Sequence, residues 1–249
     1  MNRFHGNIPA TFLKQNNNLK SLILNGNRLQ GMIPRTLVSC RNLEVLDLGN
    51  NMLTGGFPHW IDTLREMQVL VLRGNQLNGT LLTSNTKTPF QKLRILDLSS
   101  NEFSGLLPSN YFKNFKAVMA LEKAASGDLY MGEDYMYDDT VVLVVKGLSS
   151  ELKRILVIFT TIDLSVNKFE DEIPDTIGQL RSLRFLNLSH NSLSGSIPTH
   201  LSNLVLPQHL DLSSKKLVDD IPQQLTNLTS LAVVNFSQNQ LKGAIPQGR

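Results

Sequence analysis

Apolar residues along this chain recur in a fixed frame that is too irregular for one continuous helix. Leu19, Leu22, Leu24 and Leu29 are followed by Leu43, Leu46, Leu48 and Leu53 in the same spacing, with Asn27 and Asn51 at the ninth place of each unit. Alternation at the fourth and sixth places predicts a short strand with one face inward. The Asn predicts the point where the chain leaves the strand, because its amide both donates and accepts hydrogen bonds. Units in this frame open at Leu19, Leu43, Met67, Leu93, Phe159, Leu183, Pro207 and Leu231, so the steps are 24, 24, 26, 66, 24, 24 and 24 residues, after a half unit over Asn2–Pro9. A unit of this length cannot bury an apolar face alone, so the units must stack.

This is the frame of a leucine-rich repeat. Strands of successive coils pair in parallel about 4.8 Å apart, and the expected fold is an α/β-type repeat solenoid: a right-handed superhelix with a parallel concave sheet, interrupted by an insertion. Asn27, Asn51, Asn75, Asn101, Asn167, Asn191 and Asn239 form the expected structural ladder. The expected organisation is repeats over 1–116, an island over 117–158 and four repeats over 159–249. Two departures mark the coil opening at Pro207, where Lys215 replaces the ladder Asn and Asp219 the usual Gly; Asp171 likewise stands at a Gly place.

Outward strand positions vary without altering such a fold, so they form the natural contact face. The fifth place carries Ile23, Asp47, Val71, Asp97, Asp163, Asn187, Asp211 and Asn235, all expected to point outward. An aromatic there or beside it is a typical anchor, and Phe185 stands out, either as such an anchor or as a side chain shielded under the island. Arg184, Phe185, Gln208 and His209, with Thr160 and Asp163 beside them, form the expected patch for a protein partner. The island adds a polar, acidic half bearing Tyr130, Tyr135 and Tyr137, suited either to recognition or to a solvated loop. Its apolar β-branched runs, Thr140–Val145 and Ile155–Thr161, read as strands packing it onto the repeats.

The segments Gly31-Met32-Ile33-Pro34, Gly195-Ser196-Ile197-Pro198 and Gly243-Ala244-Ile245-Pro246, with Leu186-Asn187-Leu188-Ser189-His190-Asn191, resemble the plant-type repeat of receptor-like proteins of the disease-resistance class. The 66-residue step exceeds one coil of 24 by 42 residues and four repeats begin after it, which is similar to that family's island and its four closing repeats. The resemblance implies a second strand on the flank of each coil. It further implies the membrane-proximal part of an extracellular ectodomain held at the plasma membrane. That ectodomain lacks its own kinase, binds a protein or peptide elicitor and docks a co-receptor kinase ectodomain. The family's signal peptide, paired-cysteine cap and membrane helix have no counterpart in these residues, which reads as a fragment or a truncated gene product. Two alternatives stand beside this: a truncated, non-signalling paralogue, and a soluble leucine-rich-repeat inhibitor of a secreted wall-degrading enzyme, against which the island speaks.

Composition narrows the remainder. Of 249 residues 41% are apolar and 18% charged, enough for a core, and the net charge of +3 with no basic run argues against nucleic acid. The longest apolar runs, Val141–Val145 and Ile155–Phe159, fall far short of the roughly 20 residues of a membrane span, so no membrane contact is expected from this segment. Cys40 is the single cysteine and, like Trp60, reads as convex-side packing. No catalytic or phosphate-binding motif occurs, the five histidines fall at unrelated repeat positions, and neither an enzyme nor a cofactor or metal is expected. Four N-x-Ser/Thr sequons, at Asn78, Asn187, Asn227 and Asn235, are expected on exposed positions and suit a secreted glycoprotein. Asn187 and Asn235 also arise within the repeat motif itself.

Overall fold

Each coil begins with a three-residue strand whose middle side chain points into the solenoid. In the computed structural model, which describes residues 2–10, 18–81, 86–121, 140–145, 148–153 and 158–248, these strands are Ser21–Ile23, Val45–Asp47, Val69–Val71, Ile95–Asp97, Thr161–Asp163, Phe185–Asn187, His209–Asp211 and Val233–Asn235. They form one eight-stranded parallel sheet. Leu22, Leu46, Leu70, Leu96, Ile162, Leu186 and Leu210 are its buried middle residues, each worth about 1.5–3 kcal/mol of apolar burial. Val234, on the edge strand, is half exposed.

Past the ladder position the chain forms a second, flanking strand, and these too make an eight-stranded parallel sheet, from His5–Asn7 to Lys216–Val218. A proline follows in most coils. Pro34, Pro58, Pro174, Pro198 and Pro222 each precede a short 3-10 turn on the convex side: Arg35–Ser39, His59–Thr63, Asp175–Gln179, Thr199–Asn203 and Gln223–Asn227. Proline suits that place because its φ is fixed and it needs no amide partner. Two α-turns, Ser109–Phe112 and Lys116–Met119, take the same role in the fourth coil. The second of them buries Val118 and accepts Ser182 N–H at the Val118 carbonyl, so this coil runs past residue 116.

The sheet does not notice the long step. Ile95, Leu96 and Asp97 pair with Thr161, Ile162 and Asp163 in the same register as every other pair of coils. Phe103 and Phe169 stack across it with centroids 6.5 Å apart, and Asn167 accepts Phe103 N–H at 3.0 Å. Within the step, Thr140–Val145 pairs antiparallel with Leu148–Lys153. Of the expected second strand over Ile155–Thr161, residues 155–157 lie outside the described residues. Val145 pairs with Leu148 in this hairpin, while Thr161 belongs to the concave sheet. Residues 122–139, with Tyr130, Tyr135 and Tyr137, lie outside the described residues.

The Asn ladder has one repeated geometry. Asn75 accepts Leu53 N–H of the preceding coil at 3.0 Å and donates to Leu48, Leu72 and Arg73 carbonyls at 3.1, 3.0 and 3.2 Å. Asn51, Asn101, Asn167 and Asn191 repeat this set; Asn239 makes it at the far end, and Asn27 at the near end accepts Phe4 N–H and donates to the Leu24 and Asn25 carbonyls. Lys215 breaks the row. It is only 7% exposed and its Nζ has no hydrogen-bond partner; burial pulls its amine from the usual 10.5 down to about 7, against the opposing charge of Asp211. Asp171 and Asp219 adopt φ of +68° and +64° where other coils place Gly, a left-handed backbone that Asp tolerates better than most residues.

Candidate functional site

The concave face is built from the side chains flanking the buried middle of each strand, and its chemistry changes along the axis. In the last four coils Phe185 lies half-buried against Phe159, centroids 5.0 Å apart, and 6.4 Å from His209. Arg184 is half-buried, with Nε donating to the Ile158 carbonyl at 3.0 Å, and Gln208 lies beside it in the next coil, also half-buried. These residues come together as one patch. Thr160, Asp163 and His209 do not offer surface: all three are buried, which corrects the expectation that they line it. Thr160 Oγ1 donates to the Ser182 carbonyl at 2.5 Å and accepts Arg184 N–H at 3.2 Å, so it ties two coils together. Phe159 was missed because the sequence frame marks it only as the opening residue of a unit; in the structure it is half-buried with its ring tilted against Phe185.

Of the fifth-place residues Ile23 is exposed as expected, whereas four others are covered, contrary to the outward placement expected of them. Asp47, Val71, Asp97 and Asp163 are 0, 0, 1 and 5% exposed. Each carboxylate is recruited by its own strand end: Asp97 Oδ1 accepts Ser99 N–H and Oγ–H at 3.0 and 2.6 Å, Asp163 Oδ1 accepts the same groups of Ser165 at 2.9 and 2.6 Å, and Asp47 Oδ1 accepts Gly49 N–H. Asn187 donates to the other oxygen of Asp163, and Asn235 to that of Asp211, both at 3.2 Å. Asp97 and Asp163, paired across the long step, have no Asn between them. Arg73 Nε lies 4.0 Å from Asp97 Oδ2, and neither its Nε nor its Nη1 has a hydrogen-bond partner.

These carboxyls hold their protons unusually well. Burial, then the charge of Asp97, raises Asp163 to about 7. Burial raises Asp47 to about 6 against Gly49, Asn25 and Arg73, and burial raises Asp97 as well. Among the described residues no three His, Cys, Asp or Glu side chains are grouped to hold a metal, and no described helix is long and apolar enough to cross a membrane. Cys40 is buried, which raises its thiol above the usual range. Trp60 is half-buried against the core on the convex side. The sequons divide: Asn78 and Asn227 are exposed, whereas Asn187 and Asn235 are half-buried, correcting the expectation that all four are open. Both of the latter engage their side-chain amides, accepting from Ser189 or Ser237 and donating to Asp163 or Asp211.

The two parallel sheets, the ladder and the convex turns define a plant-type leucine-rich-repeat solenoid. The leucine-rich-repeat family profiles match residues 17–77, and 92–114 with 182–204. Receptor-like protein 19 of Arabidopsis thaliana is 49% identical over 104 residues, covering 39% of this chain and 11% of that protein. Receptor-like protein 18 of Arabidopsis thaliana is 43% identical over 205 residues, covering 73% and 24%. Among solved structures, PEPR1 with AtPEP1 matches at a TM-score of 0.74 and 29% identity, covering 98% of this chain and 28% of that one. The Arabidopsis receptor kinase HAESA, with the peptide hormone IDA and the co-receptor SERK1, matches at 0.66 and 28%, covering 98% and 37%.

The chain is a leucine-rich-repeat solenoid similar to the plant receptor-like proteins. It spans about a tenth to a quarter of the length of these curated relatives, and the region is a non-enzymatic repeat scaffold.

Proposed function

We propose that this chain is the extracellular ligand-reading region of a plant cell-surface immune receptor-like protein that signals through a separate kinase. The concave face takes a protein or peptide elicitor, with Arg184, Phe185 and Gln208 as contacts. An island between the fourth and fifth coils contributes Tyr130, Tyr135 and Tyr137, and the four closing repeats dock a co-receptor kinase ectodomain. The observation that carries this is the aromatic pair Phe159 and Phe185, both half-buried, with ring centroids 5.0 Å apart at a tilt of 32°, next to Arg184. A ring pair beside a guanidinium suits a buried anchor of a partner. The repeat solenoids of PEPR1 and HAESA, solved with AtPEP1 and with IDA and SERK1, support a peptide and a co-receptor as the partner classes.

The test is capture of a SERK1-type co-receptor ectodomain on immobilised chain, with and without elicitor fractions. Phe185→Ala lowers capture about tenfold or more, the loss expected for a hot-spot ring, while circular dichroism stays unchanged. Undiminished capture by a folded Phe185→Ala variant removes the patch from the binding site.

A further inference from the structure

The flank of the first and second coils carries a groove that the concave-face reading leaves unused. It encloses about 780 Å³, within the range of small-ligand sites, and its walls include Met32, Arg35, Phe57, His59 and Trp60. Met32 is 71% exposed and Trp60 half-buried, so a thioether and part of an indole are open beside a guanidinium. His59 Nδ1 at the wall is shielded and has no hydrogen-bond partner. Apolar ring surface edged by polar groups matches a pyranose, which has a C–H face and a rim of hydroxyl or acetamide groups.

The exposed sequon Asn78-Gly79-Thr80 lies one strand away. Asn78 is the register partner of Gly56, which lines the groove, and flanking strands stand about 4.8 Å apart. A Cβ placed on Gly56 would have the Asn78 carbonyl nearby, at 3.8 Å, so the sequon strand borders the groove directly at this glycine. Along this strand Leu77 is buried while Asn78, Gly79 and Thr80 are exposed, and Gly79 has φ of +78° with open space around it. The Asn78 amide is thus accessible, unlike those of Asn187 and Asn235.

The geometry points to an N-linked glycan on Asn78 whose first N-acetylglucosamine units fold back into this groove and cover Trp60 and Met32. The inference rests on the extracellular placement proposed above, since the modification requires the secretory pathway. Its consequence is that this groove is filled by the protein's own sugar and is closed to a partner.

Trp60 is the single tryptophan of the chain, which makes its fluorescence a direct reporter. The 249-residue chain is routed through a eukaryotic secretory pathway, occupancy is read by glycopeptide mass spectrometry, and Trp60 emission and acrylamide quenching are compared before and after enzymatic glycan removal. Expected is a glycan on Asn78, with a red shift and stronger quenching once it is removed. Asn78→Gln reproduces the deglycosylated signal and Asn227→Gln leaves Trp60 unchanged. A glycan on Asn227 with none on Asn78 overturns the inference and leaves the extracellular reading standing. An occupied Asn78 with Trp60 quenching unaltered by removal overturns the packing, and absence of glycan at every sequon overturns the inference together with the placement it rests on.

Discussion

Replacing Lys215 by Asn restores the one missing rung of the ladder, and its effect can be worked from the structure. The new amide inherits the partners its neighbours use: Leu193 N–H to accept, by analogy with Phe169 N–H on Asn191, and the carbonyls at the strand end to receive its donors. Those bonds contribute about 1 kcal/mol net. The larger gain comes from removing a buried amine. A fall from 10.5 to about 7 corresponds to about 5 kcal/mol against the charged form at about 1.36 kcal/mol per unit. Relaxation and water entry reduce such a penalty, so the expected gain at pH 6 is about 2 to 4 kcal/mol.

The pH dependence carries a definite sign. Between about 7 and 10.5 the unfolded chain binds the Lys215 proton and the native chain does not, so the parent gains stability as pH rises through that window and carries its full deficit below about 7. Lys215→Asn should therefore stabilise strongly at pH 6 and by only about 1 kcal/mol at pH 10. Urea denaturation followed by circular dichroism at both pH values measures the difference, with other titrations cancelling between variant and parent. A variant no more stable than the parent at pH 6, or stabilised equally at both pH values, would refute the reasoning.

The Asp97 and Asp163 pair gives the opposite sign. Asp163 is raised from 3.8 to about 7, so native stability falls as pH rises through that window, and Asp97→Asn should add about 1 to 2 kcal/mol at pH 8 and little at pH 4; equal urea midpoints for variant and parent at pH 8 would contradict this. Asn75→Ala strips a buried turn of one acceptor and three donated bonds and should cost about 2 to 4 kcal/mol. Thermal denaturation checks that, and a loss under about 1 kcal/mol would show that water replaces the amide.

The repeat was legible because burial fixes its period: any shift of frame would turn Leu46 or Leu70 to solvent. The concave face was less so. The frame says that Asp47 and Asp163 leave the sheet on its outer side, and they do, but Gly49 and Ser165 two residues later draw the carboxylates back onto the backbone. That local competition by an Asx side chain follows from the Asp-x-Ser/Gly spacing, a signal present in the sequence but read as repeat consensus. Phe159 failed for the converse reason. It opens a unit at a place that Leu holds in other coils, and its ring finds a neighbour in Phe185, a residue 26 positions away whose proximity only the stacking of coils reveals.

Seamless pairing of Ile95 with Thr161 has a bearing on how the chain assembles. Closing a connection of 66 rather than 24 residues costs only about 1 kcal/mol more in chain entropy, less than one buried leucine returns. A folding front advancing coil by coil therefore crosses the gap with little delay. The intervening residues are at liberty to lengthen, shorten or be exchanged while the lattice on either side keeps its pitch.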